Sequence, residues 1–157
     1  STPGAAFTAN AANQFRVRAA GGVTFYTNAA LSAGVSVAAG GNSWSQLSDV
    51  HSKENFRELD GDAVLAKIAA LPVREWNYRT QDASIRHVGP TAQDFRAAFG
   101  LGDDERRIDT IDADGVALAA VKALEARTAA LRDENASLRQ ELAALRTLVH
   151  DALAVRR

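Results

Sequence analysis

Ser48 and Lys53 are the pair in this chain whose types could do nucleophilic chemistry. A serine hydroxyl attacks when a neighbouring base takes its proton, and a lysine amine is such a base once burial favours its neutral form. A separation of five is not one face of a helix, so a loop or a helix start has to bring the two together. The spacing alone is unspecific, and Ser48 as a helix cap with Lys53 in solvent is its simpler explanation. A triad drawn from Ser48, His51 and Asp49 is weaker still, because three neighbours in sequence rarely converge in triad geometry. His87, beside Gly89-Pro90, reads as a hydrogen-bonded structural histidine. No Walker loop, dinucleotide fingerprint or metal motif appears.

Composition narrows the chemistry further. The 157 residues are 46% hydrophobic and 24% charged, which suits one modest core with appendages. With 18 Lys+Arg against 19 Asp+Glu there is no basic excess to follow a phosphate backbone, so nucleic acid is not an expected partner. Zero Cys excludes disulfides, thiolate zinc sites and cysteine nucleophiles, and the 3 scattered His make no imidazole cage; neither metal nor cofactor is expected. No apolar run approaches the roughly 20 residues that span a bilayer, so a soluble chain with no membrane partner is expected. Ser1 reads as a cut into a longer protein.

The elements that must position Ser48 and Lys53 fall into three zones. Residues 1–47 are rich in Ala, Gly, Ser, Thr and Asn, with period-two alternation. Phe15, Val17 and Ala19 would face opposite to Arg16 and Arg18, Gly21-Gly22 makes a turn, and Val23, Phe25 and Thr27 resume, followed by Val35 and Val37. So few large side chains cannot cover these strands within one chain, and their apolar faces are expected to meet other copies. Residues 48–112 carry the signals of a small globular α/β core. A helix starts at Asp60-Gly61-Asp62, with Val64, Leu65, Ile68 and Leu71 on one face. A strand follows through Trp76 and Tyr78, then Gln81-Asp82 turns the chain and Ile85 to Val88 forms a second strand. Thr91 caps a helix with Phe95, Ala98 and Phe99 inward, which Gly100 stops. A last extended piece is expected around Ile108 to Ile111.

Residues 113–157 read as a coiled-coil helix. Leu124, Leu131, Leu138, Leu145 and Ala152 fall at d; Val121, Thr128, Asn135, Leu142 and Val149 fall at a. Glu134 can pair with Arg139 of a neighbouring helix and Glu141 with Arg146, whereas Arg127 and Arg132 would repel, so pairing is parallel and in register. Asn135 at a favours two strands, and the repeat alone leaves dimer and trimer open.

Several motifs in order resemble one family. Leu47-Ser48-Asp49 with Lys53-Glu54-Asn55-Phe56, the stretch from Leu65 to Trp76-Asn77-Tyr78, the run Ile85-Arg86-His87-Val88-Gly89-Pro90-Thr91-Ala92-Gln93-Asp94-Phe95, then Ile111-Asp112 and Gly115-Val116 before a long helix, together resemble the S74 peptidases. These are C-terminal intramolecular chaperones of phage endosialidases, tail spikes and tail fibres, with relatives in bacterial surface proteins, and the resemblance spans roughly residues 40–124. It implies an α+β homotrimer in which intertwined strands precede the core and the long helix follows it. The chaperone would register the upstream fibre segment of its own chain as client, then cut between Leu47 and Ser48 in a single turnover. Ser48 carries over as nucleophile and Lys53 as base, with Asp49, Asn55, His87 and Gln93 in supporting roles. It further implies a virion tail-fibre or spike precursor, or a bacterial surface or secreted protein. The alternative is a trimerisation domain that does not cleave.

Overall fold

The computed structural model describes residues 10–154. The chain is α+β, with two small antiparallel sheets and one long C-terminal helix. It divides by contact into two units, Ser1–Arg57 and Glu58–Arg157. Residues 1–9 and 155–157 of the expected outer segments lie outside the described residues.

The first unit holds a three-stranded sheet, β1 (Gly22–Tyr26), β2 (Gly34–Ala38) and β3 (Ser45–Gln46), in that order. Val23 pairs with Val37 and Phe25 with Val35, so the alternation places these four side chains on one face. Phe25 remains about half exposed there and packs its ring 5.8 Å from that of Trp44. The opposite face carries Thr24, Tyr26, Ser36 and Ser45. Gly34 lets β1 and β2 close up: a Cβ there would come within 2.0 Å of the Phe25 carbonyl oxygen, and its φ of +154° suits glycine. The strand expected at Phe15 to Ala19 does not form. Those residues are irregular and Phe15 is 88% exposed, because alternation becomes a strand only where a second backbone offers a ladder.

The second unit is built from α1 (Gly61–Ala70), β4 (Arg74–Trp76), β5 (His87–Gly89), α2 (Ala92–Phe99) and α3 (Thr110–Ala154). Local chemistry sets the helix ends. Asp60 accepts from the Ala63 N–H at the start of α1, Thr91 accepts from the Asp94 N–H at the start of α2, and Gly100 closes α2 at a φ of 68°. The connection between β4 and β5 turns at Asp82, whose carboxyl is held below its ordinary value by the Ser84 hydroxyl and then by the Ser84 N–H. Val64 of α1, Phe95 of α2, and Val116 and Ala120 of α3 are the buried apolar centre.

Two expectations change here. Ile108 to Ile111 is not an extended piece: α3 already begins at Thr110, the Asp109 carbonyl accepting from the Asp112 and Ala113 N–H groups. The long helix is also more than an appendage, because its first turns wall the core through Val116 and Ala120. There α1 lies so close that a Cβ on Gly61 would sit 2.9 Å from the Ala123 Cβ. Gly61→Val should therefore cost about 1–3 kcal/mol by overpacking, read as a lowered thermal midpoint.

Beyond that contact α3 continues as one helix of 45 residues, roughly 67 Å at about 1.5 Å per residue. Leu124, Leu131, Leu138, Leu142, Leu145 and Val149 are each about half exposed, and Val121 is 63% exposed. Thr128 Oγ1 donates to the Leu124 carbonyl at 2.7 Å and Asn135 Nδ2 to the Leu131 carbonyl at 2.8 Å, so both polar a positions are tied to their own helix.

Candidate functional site

Ser48 and Lys53 come together through one turn of 3-10 helix, Val50–Ser52. Asp49 starts it by accepting from the His51 N–H at 3.0 Å, and the Lys53 N–H ends it on the Val50 carbonyl. The reversal brings Lys53 Nζ to 2.6 Å from Ser48 Oγ, with the amine donating. Both side chains are exposed. Asp49 thus acts through the backbone of the turn, and His51 contributes its N–H to that turn.

Asn55 follows at a φ of 57°, a left-handed conformation that Asn tolerates better than most residues. It lies in the first unit with the pair. His87 and Gln93 belong to the second unit. There His87 Nε2 is 2.9 Å from Gln81 Oε1, and its ring joins a cluster with Trp76 at 4.9 Å and, edge-on, Tyr78 at 5.3 Å, those two rings also meeting at 4.9 Å. Beside it Arg86 bridges Glu75 at 2.6 Å and Asn77 at 3.1 Å across the hairpin. Gln93 is exposed on α2.

On the other side of Ser48 the chain is held by β3. Val35 pairs with Gln46 and Ser36 with Ser45, so Leu47 stands one step past the ladder, on the face of Thr24, Tyr26, Ser36 and Ser45. It lines a groove of about 370 Å³ together with Tyr26, Leu31 and Gly34. Sequence reasoning overlooked Leu31, which has a φ of 55° and is 62% exposed. Its conformation has no signature in residue type. Leu47 had one, as the apolar residue in an otherwise hydroxyl-bearing row.

Among the described residues no group of three or more His, Asp or Glu could hold a metal ion, and no helix is long and apolar enough to cross a membrane. The site is a hydroxyl and an amine in contact, two residues past the last paired residue of β3.

Residues 48–100 match the family model of Peptidase_S74, described as chaperone of endosialidase. The match covers about a third of the chain, begins at Ser48 and ends at the Gly100 cap of α2. The S74 resemblance holds over that span, and the family's description supports a chaperone-type role. Comparison of the chain with curated proteins gave no match.

Proposed function

We propose that the chain from Ser48 onward is an intramolecular chaperone that trimerises through α3, brings the β-structure upstream of it into register, and then releases itself by cutting Leu47–Ser48. The observation that carries the reading is the 2.6 Å contact of Lys53 Nζ with Ser48 Oγ at the first residue of the family match.

The chemistry follows from where the hydroxyl sits. Ser48 lies on the amine side of the bond, so attack of Oγ on the Leu47 carbonyl carbon closes a five-membered ring. Unprotonated Lys53 takes the Oγ proton as the C–O bond forms. It returns that proton to the Ser48 nitrogen as the C–N bond breaks, leaving an ester between Leu47 and Ser48. Water then adds to the ester carbon, and Lys53 passes a water proton to the departing Oγ. One water is consumed, its second proton passes from the new acid to the freed amine, and the products are a Leu47 carboxylate and a Ser48 ammonium. The amine serves as base only in its neutral form, which low-dielectric surroundings favour. Because both side chains are exposed in the single chain, assembly is the step that supplies burial, and cleavage reports that assembly is complete.

The same logic explains why a trimeric clamp belongs at the far end. Threading strands between chains is a high contact order problem, slow to nucleate, whereas a parallel helical seam raises the local concentration of the strands at once. The sheet face of Val23, Phe25, Val35 and Val37 is the apolar surface that other copies would cover. Residues 1–47 are then the end of a tail-fibre, spike or surface-protein client, 48–112 the chaperone core and 113–157 the clamp. Purified full-length chain should yield a fragment running from Ser48 to Arg157 on a denaturing gel, from a species of three-chain mass by light scattering. A two-chain mass would overturn the trimer. A trimer that stays uncut would favour the second reading, a non-cleaving trimerisation domain, for which the exposure of Ser48 and Lys53 speaks.

A further inference from the structure

We infer that the loop joining β1 and β2 is a recognition element for the residue before the cut, with Leu31 as the positioning residue that seats Leu47. The inference rests on the autoproteolytic reading above and says what holds the scissile bond still.

Three observations converge on it. β3 ends at Gln46 in register with Val35, so strand pairing fixes the backbone up to the residue before Leu47. The next position along β2 is Gly34, which lines one groove with Leu47 and Leu31. Leu31 adopts a φ of 55°, which is costly for a side chain of its kind and native to Gly or Asn.

The loop enforces that conformation. Asn28 Oδ1 accepts from the Ser32 N–H at 3.0 Å and the Ala33 N–H at 3.3 Å, and Asn28 Nδ2 donates to Ser32 Oγ at 2.9 Å. The Leu31 N–H donates to the Asn28 carbonyl at 3.3 Å, and Thr27 N–H to the Ala33 carbonyl closes the loop at 3.0 Å. A glycine at position 31 would satisfy the backbone without strain. What the leucine adds is a side chain lining the groove that Leu47 lines, on a sheet face whose other residues are Thr24, Tyr26, Ser36 and Ser45.

The consequence is that the client supplies its own subsite. Lys53 fixes the hydroxyl from the carboxyl side and the β1–β2 loop fixes Leu47 from the amino side, so carbonyl and nucleophile are oriented before reaction. The site accepts an unbranched or γ-branched apolar side chain at position 47 and rejects a short or charged one.

The test uses the full-length chain and follows the cleavage rate on a denaturing gel alongside mass by light scattering. Leu47→Met should cut near the wild-type rate, while Leu47→Ala and Leu31→Gly should each slow cutting roughly 10-fold or more at unchanged oligomer mass. Adding Leu47→Phe to Leu31→Ala should recover part of the rate, because a larger side chain refills the groove. Leu31→Gly cutting as fast as wild type would overturn the inference, since the loop then needs only its backbone. So would Leu31→Ala showing no recovery on enlarging residue 47. A wild-type chain that never cuts defeats autoproteolysis itself, which distinguishes the two failures.

Discussion

Lys53→Arg should leave the chain uncut while preserving a cation beside Ser48. The guanidinium can donate to Ser48 Oγ as the amine now does at 2.6 Å, and it keeps the charge, yet it does not give up its proton and cannot act as base. Lys53→Ala should slow the cut by roughly 10²–10⁴-fold, the usual contribution of a positioned base. Ser48→Ala removes the nucleophile and should abolish the fragment altogether, whereas Ser48→Cys keeps a nucleophile and should retain measurable cutting. In every variant the number of chains in the assembly should equal that of wild type, because neither residue lies on α3. Cleavage is read on a denaturing gel, with the fragment's mass checked for a start at Ser48. Cutting by Lys53→Arg at the wild-type rate would exclude the lysine as base.

The second large effect is expected from Leu131→Asp combined with Leu138→Asp. Both leucines are about half exposed on α3 and fall at d positions. Losing a packed leucine costs about 2–5 kcal/mol, and each substitution is repeated in every chain and replaced by a charge. The assembly should fall apart to single chains by light scattering. The buried centre at Val64, Phe95, Val116 and Ala120 lies on α1, α2 and the first turns of α3 and should persist. Helicity should drop only for the C-terminal part of α3, since a lone helix with most of its apolar side chains in water is marginal. Cutting at Leu47–Ser48 should be lost with the assembly, although neither changed residue is near that bond in sequence. Monomers that still cut at the normal rate would separate the dyad from trimerisation.

The parts of the molecule legible in the sequence are those set by neighbours in the chain. Asp60, Thr91 and Gly100 mark helix ends because a carboxylate, a hydroxyl and a missing Cβ act within one turn, and all three stand where expected. Ser48 and Lys53 were legible as types, and the Asp49-capped turn that joins them is again local. Partner-dependent features were not legible. Phe15 to Ala19 alternates like a strand, yet a strand exists only in its ladder. Around Ile111 the apolar residues resembled an extended run, but the Asp109 carbonyl had already taken the first helical bonds. The heptad pattern gave no sign that α3 walls the core, since Val116 and Ala120 lie on a face outside the a/d stripe. Leu31 was invisible because nothing in its type announces a positive φ.

The short distance between Lys53 and Ser48 also bears on what happens after the bond is gone. Cutting turns the Ser48 nitrogen into an α-amine, a group that titrates near about 7.7–8.0 and is largely cationic at neutral pH. It would stand on the same residue whose Oγ is 2.6 Å from the lysine nitrogen, placing a new charge on the turn that Asp49 caps. A protonated amine cannot attack the Leu47 carboxylate to remake the amide. The product's own charge would therefore act as a ratchet, giving the reaction its direction.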